Sequence, residues 1–139
     1  MGNKYIAQIH PNGCGVACVA QVLAVTYNQA LRFFRNGESA AALRGFYRKD
    51  IVEALRLAGK NYRFFYINQK NRGCIYKNGT IVFIAPGRKY PRGHYLVRVK
   101  NGWMDPWINR PDVTCGRAGF RRRLPGKPIY GIAPDITAQ

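Results

Sequence analysis

The sequence predicts an α+β fold, with helices in the first half and an antiparallel sheet in the second. Three observations predict it. Apolar residues recur at helical spacing as far as Ala58. Beyond Lys60 the pattern changes to short β-branched or aromatic runs broken by Asn-Arg-Gly, Asn-Gly, Pro-Gly and Lys-Asn-Gly. A chain of 139 residues, 47% of them hydrophobic, is long enough to bury one core and short for two, so residues 1–139 read as a single domain.

The helices come first. Between Gly15 and Val25, residues Val16, Ala17, Val19, Ala20, Val22 and Leu23 make a stretch apolar nearly all round, as expected of a helix at the centre of a domain. A second helix is expected over Asn28 to Phe34, with Leu31, Phe33 and Phe34 on its apolar side and Asn36-Gly37 as its stop. A third fits Arg48 to Ala58, where Ile51, Val52, Leu55 and Ala58 share a face. Asp50 and Glu53 lie in its early turns, and Gly59 ends it.

Strands are expected over Tyr62 to Ile67, Thr80 to Ala85, His94 to Val99, Trp103 to Met104 and Pro128 to Ala133. Asn101-Gly102, lying between two of these runs, is a hairpin turn. Residues Arg110 to Lys127 are the least regular stretch and read as a surface loop. There is no internal repeat, low-complexity tract or linker.

Charge is heavily one-sided: 23 Lys and Arg against 6 Asp and Glu give a formal net charge of +17. Such a surface attracts nucleic acid, anionic lipid or acidic peptides, and also favours solubility without any specific partner. Arg117, Arg121, Arg122, Arg123 and Lys127 form the densest candidate polyanion site. Arginine, lysine, aromatics and glycine also alternate in Arg32 to Arg35, Arg44 to Lys49, Lys60 to Arg63 and Arg88 to Arg92, a mixture suited to phosphate contacts and base stacking. No window approaches the length of a membrane span, and residues 1–11 contain no continuous apolar run of the signal-peptide kind, so a soluble cytoplasmic protein is expected.

Four cysteines, Cys14, Cys18, Cys74 and Cys115, are expected to be reduced thiols in that compartment rather than two disulfides. A zinc site on His10, Cys14, Cys18 and either Cys74 or Cys115 lacks the tight paired spacing of structural zinc, so neither metal nor cofactor is expected.

The chemistry centres on Cys14, in the run Pro-Asn-Gly-Cys-Gly-Val-Ala-Cys at the head of the first helix. Free N–H groups and the macrodipole at a helix start favour a thiolate, which places this cysteine to act as a nucleophile. One histidine, His94, opens a strand, and Asp105-Pro106 follows the next strand after the Asn-Gly turn. A hairpin can bring these two together, so that the carboxylate orients the imidazole while the other ring nitrogen reaches Cys14. Gln8, six residues before the thiol, can join the Cys14 N–H in stabilising an oxyanion. The other histidine, His10, has no carboxylate near it in sequence and ranks behind His94. Cys18 falls on the same helix face as Cys14 and reads as a small core residue rather than a resolving thiol, while Cys74 and Cys115 receive no role.

In this order the residues resemble the double-glycine, or bacteriocin-processing, cysteine peptidase family of the papain-like superfamily. Its pattern, glutamine, five residues, Cys-Gly opening the central helix, then a histidine before a hydrophobic strand and an Asp-Pro, reads here as Gln8, Cys14-Gly15, His94-Tyr95-Leu96-Val97 and Asp105-Pro106. The resemblance covers nearly the whole chain. It implies a papain-like fold in which N-terminal helices, the central one starting at the nucleophile, pack on a C-terminal antiparallel sheet. It also implies Cys14 as nucleophile, His94 as base and acid, Asp105 as its orienting partner, Gln8 as oxyanion donor, and cleavage of a peptide, acidic ones included, after small residues such as Gly-Gly. Because papain-like folds host several chemistries, two other functions stay open. One is a basic effector, toxin or inactive relic that acts on or binds nucleic acid. The other is a deamidase or transamidase acting on a glutamine of a host protein.

Overall fold

The computed structural model describes residues 5–112 and 116–136, among which the chain forms four α-helices and a six-stranded antiparallel sheet. The helices are α1 (Cys14–Leu23), α2 (Tyr27–Leu31), α3 (Gly37–Leu43) and α4 (Arg48–Leu57). The strands are β1 (Tyr62–Tyr66), β2 (Ile81–Ile84), β3 (His94–Val99), β4 (Gly102–Asp105), β5 (Gly119–Arg121) and β6 (Pro128–Pro134), in the spatial order β1-β6-β2-β3-β4-β5. β6 returns from the end of the chain to lie between β1 and β2, and the strands from β2 to β5 form a meander. No described helix is long and apolar enough to cross a membrane.

Both faces of the sheet are covered, and the strands alternate accordingly. On the helical face, Val16, Ala17, Val19 and Ala20 of α1 and Ile51 and Leu55 of α4 pack with Tyr95, Val97, Met104 and Ile132. On the opposite face Leu96, Trp103, Val82 and Ile84 bury against Ile75, supplied by a 3₁₀ turn over Arg72–Tyr76. α1 packs against β3, α2 and α4, which is why its apolar surface extends nearly all round.

Four local expectations are corrected. The second helix is shorter than the pattern suggests: Thr26 and Gln29 form a capping box that starts α2, which ends at Leu31. Asn36-Gly37 does not merely stop a helix but opens α3, with Asn36 in the left-handed region at φ 52° as its N-cap. α3 reads Gly-Glu-Ser-Ala-Ala-Ala-Leu and buries only Gly37, Ala40 and Ala41, so it carries no large apolar stripe to announce it. The β3–β4 turn sits one residue earlier than expected, because Val99 pairs with Gly102 and Asn101, at φ 64°, takes the left-handed position. Finally, the stretch read as a surface loop over Arg110 to Lys127 contains β5, whose three residues pair with β4.

Two glycines fix the approaches to the site. Gly93 precedes β3 with φ +82°, and a Cβ there would lie 2.3 Å from Phe83 Cζ. At Gly13, just before α1, a Cβ would lie 2.0 Å from the Tyr27 hydroxyl.

Candidate active site

Asp105, at the end of β4, is fully buried, and the sheet register gathers its partners. Extending the β3–β4 pairing places His94 opposite Trp107, one diagonal step from Asp105 on the same face. On the other side β5 pairs Trp103 with Arg121 and Asp105 with Gly119, so Arg121 is also a diagonal neighbour. His94 Nε2 lies 2.7 Å from Asp105 Oδ1, and Arg121 Nε donates to Oδ2 at 2.7 Å. The Trp107 backbone N–H donates to Oδ1 at 2.9 Å. The Tyr90 hydroxyl lies 2.7 Å from Oδ2 and 2.8 Å from the Trp107 carbonyl oxygen, and its single proton serves one at a time. Burial by itself favours the neutral acid, but the bonds from His94, Arg121 and Trp107 outweigh it and hold the carboxyl well below the usual range.

His94 is held on its face as well as its edge. Its ring stacks on Tyr90 with centroids 3.8 Å apart and planes 4° from parallel. With Nε2 on Asp105, Nδ1 is the nitrogen that remains, and Cys14 lines the same cleft as the ring. Burial disfavours the imidazolium, but Asp105 first and Cys14 second more than offset it, and the pKa rises to about 9. The buried carboxylate thus fixes an imidazole that lines the same cleft as the first residue of α1, with the ring's charged form favoured.

Cys14 is partly exposed as the first residue of α1, where its N–H has no partner within the helix. It opens onto a cleft of about 530 Å³, also lined by Gln8, His94, Tyr90 and Trp107. Cys18, one turn deeper, has no exposure, and burial first, with the neighbouring Cys14 second, pushes its thiol well up; it is a core residue without access to reagents. His10 is directed away to the Tyr27 hydroxyl, 2.9 Å from its Nδ1.

Gln8 reaches the cleft, though in an orientation that the sequence does not specify. Its Nε2 donates to the carbonyls of His10 at 3.0 Å and Pro11 at 3.1 Å, and its Oε1 is buried without a partner. Presenting an N–H to the cleft therefore requires turning this amide.

Arg121, grouped with the polyanion candidates on sequence, is removed from that set: its guanidinium is inward on Asp105 because β5 brings it alongside β4. Arg117, Arg122, Arg123 and Lys127 are exposed. Tyr90, the Trp107 N–H and the Arg121 pairing escaped the sequence reading. Their common signal is adjacency to Asp105 through a three-residue strand and an irregular loop, which leaves no periodicity to detect. Cys14, Cys18 and Cys74 are free thiols, and Cys115 lies outside the described residues. Among the described residues no three His, Cys, Asp or Glu side chains are grouped to hold a metal ion.

No protein-family model matches the sequence, and no curated protein does. Among solved structures, the chain is similar to the peptidase domain of Streptococcus ComA, a bifunctional ABC transporter involved in a quorum-sensing pathway. The TM-score is 0.58, at 19% identity, covering 95% of this chain and 100% of that one, so the likeness is one of fold, extending over the whole of a peptidase domain.

Proposed function

We propose that the chain is a papain-like cysteine peptidase of the double-glycine type, with Cys14 as nucleophile, His94 as acid and base, and Asp105 as the group that orients His94. The observation that carries this reading is one cleft lined by both a helix-start thiol and an imidazole that is held by a buried carboxylate. The fold shared with the ComA peptidase domain supports it, and the preference for glycine before the cleaved bond rests on the sequence resemblance.

In this reading the Cys14 sulfur attacks the scissile carbonyl carbon as the thiolate of a thiolate–imidazolium pair. The carbonyl oxygen becomes an oxyanion at the Cys14 N–H and, once its amide has turned, at Gln8 Nε2. Collapse breaks the C–N bond, and His94 Nδ1 gives its proton to the departing amine. His94 then takes a proton from water, whose oxygen attacks the thioester; collapse breaks the C–S bond, the acid is released and the thiolate–imidazolium pair is regenerated. Asp105 stays ionised throughout, as its four donor groups require.

Incubation of the purified chain with a peptide containing Gly-Gly, read by mass spectrometry, tests the proposal. Cleavage after the second glycine is expected, abolished by Cys14→Ala and by His94→Ala with the melting transition retained. Full turnover by either folded variant removes the mechanism, and a one-dalton gain at glutamine without chain cleavage would reassign it as deamidation.

A further inference from the structure

The cleft that holds Cys14 and His94 is bordered by Arg44, Arg92 and Arg110, and among the described residues lining it there is no aspartate or glutamate. The three come from both walls. Arg44 follows α3 on the helical side, Arg92 lies in the β2–β3 loop, and Arg110 lies in the segment after β4. Arg44 and Arg110 have hydrogen bonds to backbone carbonyls, which do not neutralise a guanidinium: Arg44 Nη1 donates to Gly45 O at 3.0 Å and Arg110 Nη1 to Lys89 O. Arg110 also lies over the Trp107 ring, 5.4 Å from its centroid, which fixes it at the edge of the cleft. The one buried carboxylate nearby, Asp105, is already matched by Arg121 and His94. A chain lying in the cleft therefore meets three cationic groups with no opposing anion from the lining, and low-dielectric walls focus that field.

We propose that Arg44, Arg92 and Arg110 form a specificity site for acidic side chains flanking the scissile bond, so that the substrate is an acidic peptide. The proposal rests on the peptidase reading above and names its substrate class. Each exposed pair contributes modestly, so the three together are expected to change apparent affinity about ten-fold at low salt. The effect falls on KM rather than kcat, because these groups bind residues that do not react.

The test compares two labelled peptides with the same Gly-Gly core, one carrying glutamate on both sides and the other glutamine in its place. Binding is measured by fluorescence anisotropy on the Cys14→Ala chain, and kcat/KM on the unaltered chain. The glutamate peptide should bind about ten-fold more tightly, with the preference falling towards one at high salt and in the Arg44→Gln, Arg92→Gln, Arg110→Gln triple variant. Equal binding of the two peptides at low salt overturns the proposal while leaving the peptidase reading intact if both are cleaved. Selective binding without cleavage of either sinks the peptidase reading and keeps the acidic site. A single-stranded oligonucleotide of equal charge that displaces the glutamate peptide and binds more tightly would overturn the peptide assignment in favour of nucleic acid.

Discussion

Replacing Asp105 by asparagine should lower the pKa of His94, and the direction and size follow from the contacts. The ring is raised from its ordinary 6.5 to about 9 although burial opposes the charge, and the hydrogen bond with Asp105 is the largest single cause that favours it. Removing an opposite charge at hydrogen-bond distance lowers a pKa by about 1–3 units, so His94 in Asp105→Asn should titrate well below the wild-type value. Cys14→Ala should also lower it. The assay is ¹⁵N NMR titration of the imidazole, where assignment is direct because the chain has only 2 histidines. The distance from 6.5 to about 9, at about 1.4 kcal/mol per pH unit, is worth about 3 kcal/mol of folding stability. The folded-state pKa lies above the unfolded one, so this contribution is fully present below pH 6.5 and is lost as the pH rises through about 9. Unfolding by denaturant should show that loss in the wild type and far less of it in Asp105→Asn. A wild-type His94 that titrates at or below 6.5, or one unmoved by Asp105→Asn, would refute the account of the site.

Two further substitutions have expected outcomes. Arg121→Gln removes a charge-assisted donor from Asp105 Oδ2 while Tyr90 and His94 remain; with Arg121 partly exposed, a loss of about 2 kcal/mol in chemical denaturation is expected. Because Arg121 helps hold the Asp105 pKa down, and a depressed acid stabilises the fold above its unfolded value and less as the pH falls, acid unfolding of this variant should begin at higher pH than in the wild type. Gly93→Ala forces a side chain into φ +82° and against Phe83 and the Ile84 carbonyl, and should lower stability by about 3 kcal/mol in the same assay.

What the sequence discloses and what it conceals divide along physical lines. The α1 stretch, the β3 run and the existence of a hairpin after β3 follow from periodicity and turn chemistry acting over a few residues, while the one-residue shift of its turn sets the register that brings His94 and Asp105 together. α3 and β5 were invisible for opposite reasons. α3 buries alanines and a glycine, whose small surfaces write no stripe, and β5 is a three-residue edge strand whose pairing is decided by β4 alone. The missed strand is what turned Arg121 from an apparent member of a surface cluster into a partner of a buried carboxylate. The orientation of the Gln8 amide was likewise beyond reach, since it depends on two carbonyls that the local bend between His10 and Gly13 happens to present.

That concealed pairing bears on how the site is built. Asp105 occupies a strand flanked on both sides, and its two charged neighbours arrive as diagonal partners from β3 and β5. Charge alone would let His94 and Arg121 compete for one carboxylate, but the register separates them onto different oxygens, Oδ1 for the imidazole and Oδ2 for the guanidinium. Each then receives a 2.7 Å contact. The carboxylate is thereby fixed in rotation as well as ionisation, and the imidazole edge that meets it is fixed with it. A three-residue edge strand is thus tied to β4 by an ion pair on the same carboxylate that holds His94. Fraying of β5 should loosen the ring before it loosens the core, so that hydrogen exchange at Phe120 and Arg121 in Arg121→Gln rises together with a loss of turnover, while exchange in β3 stays slow.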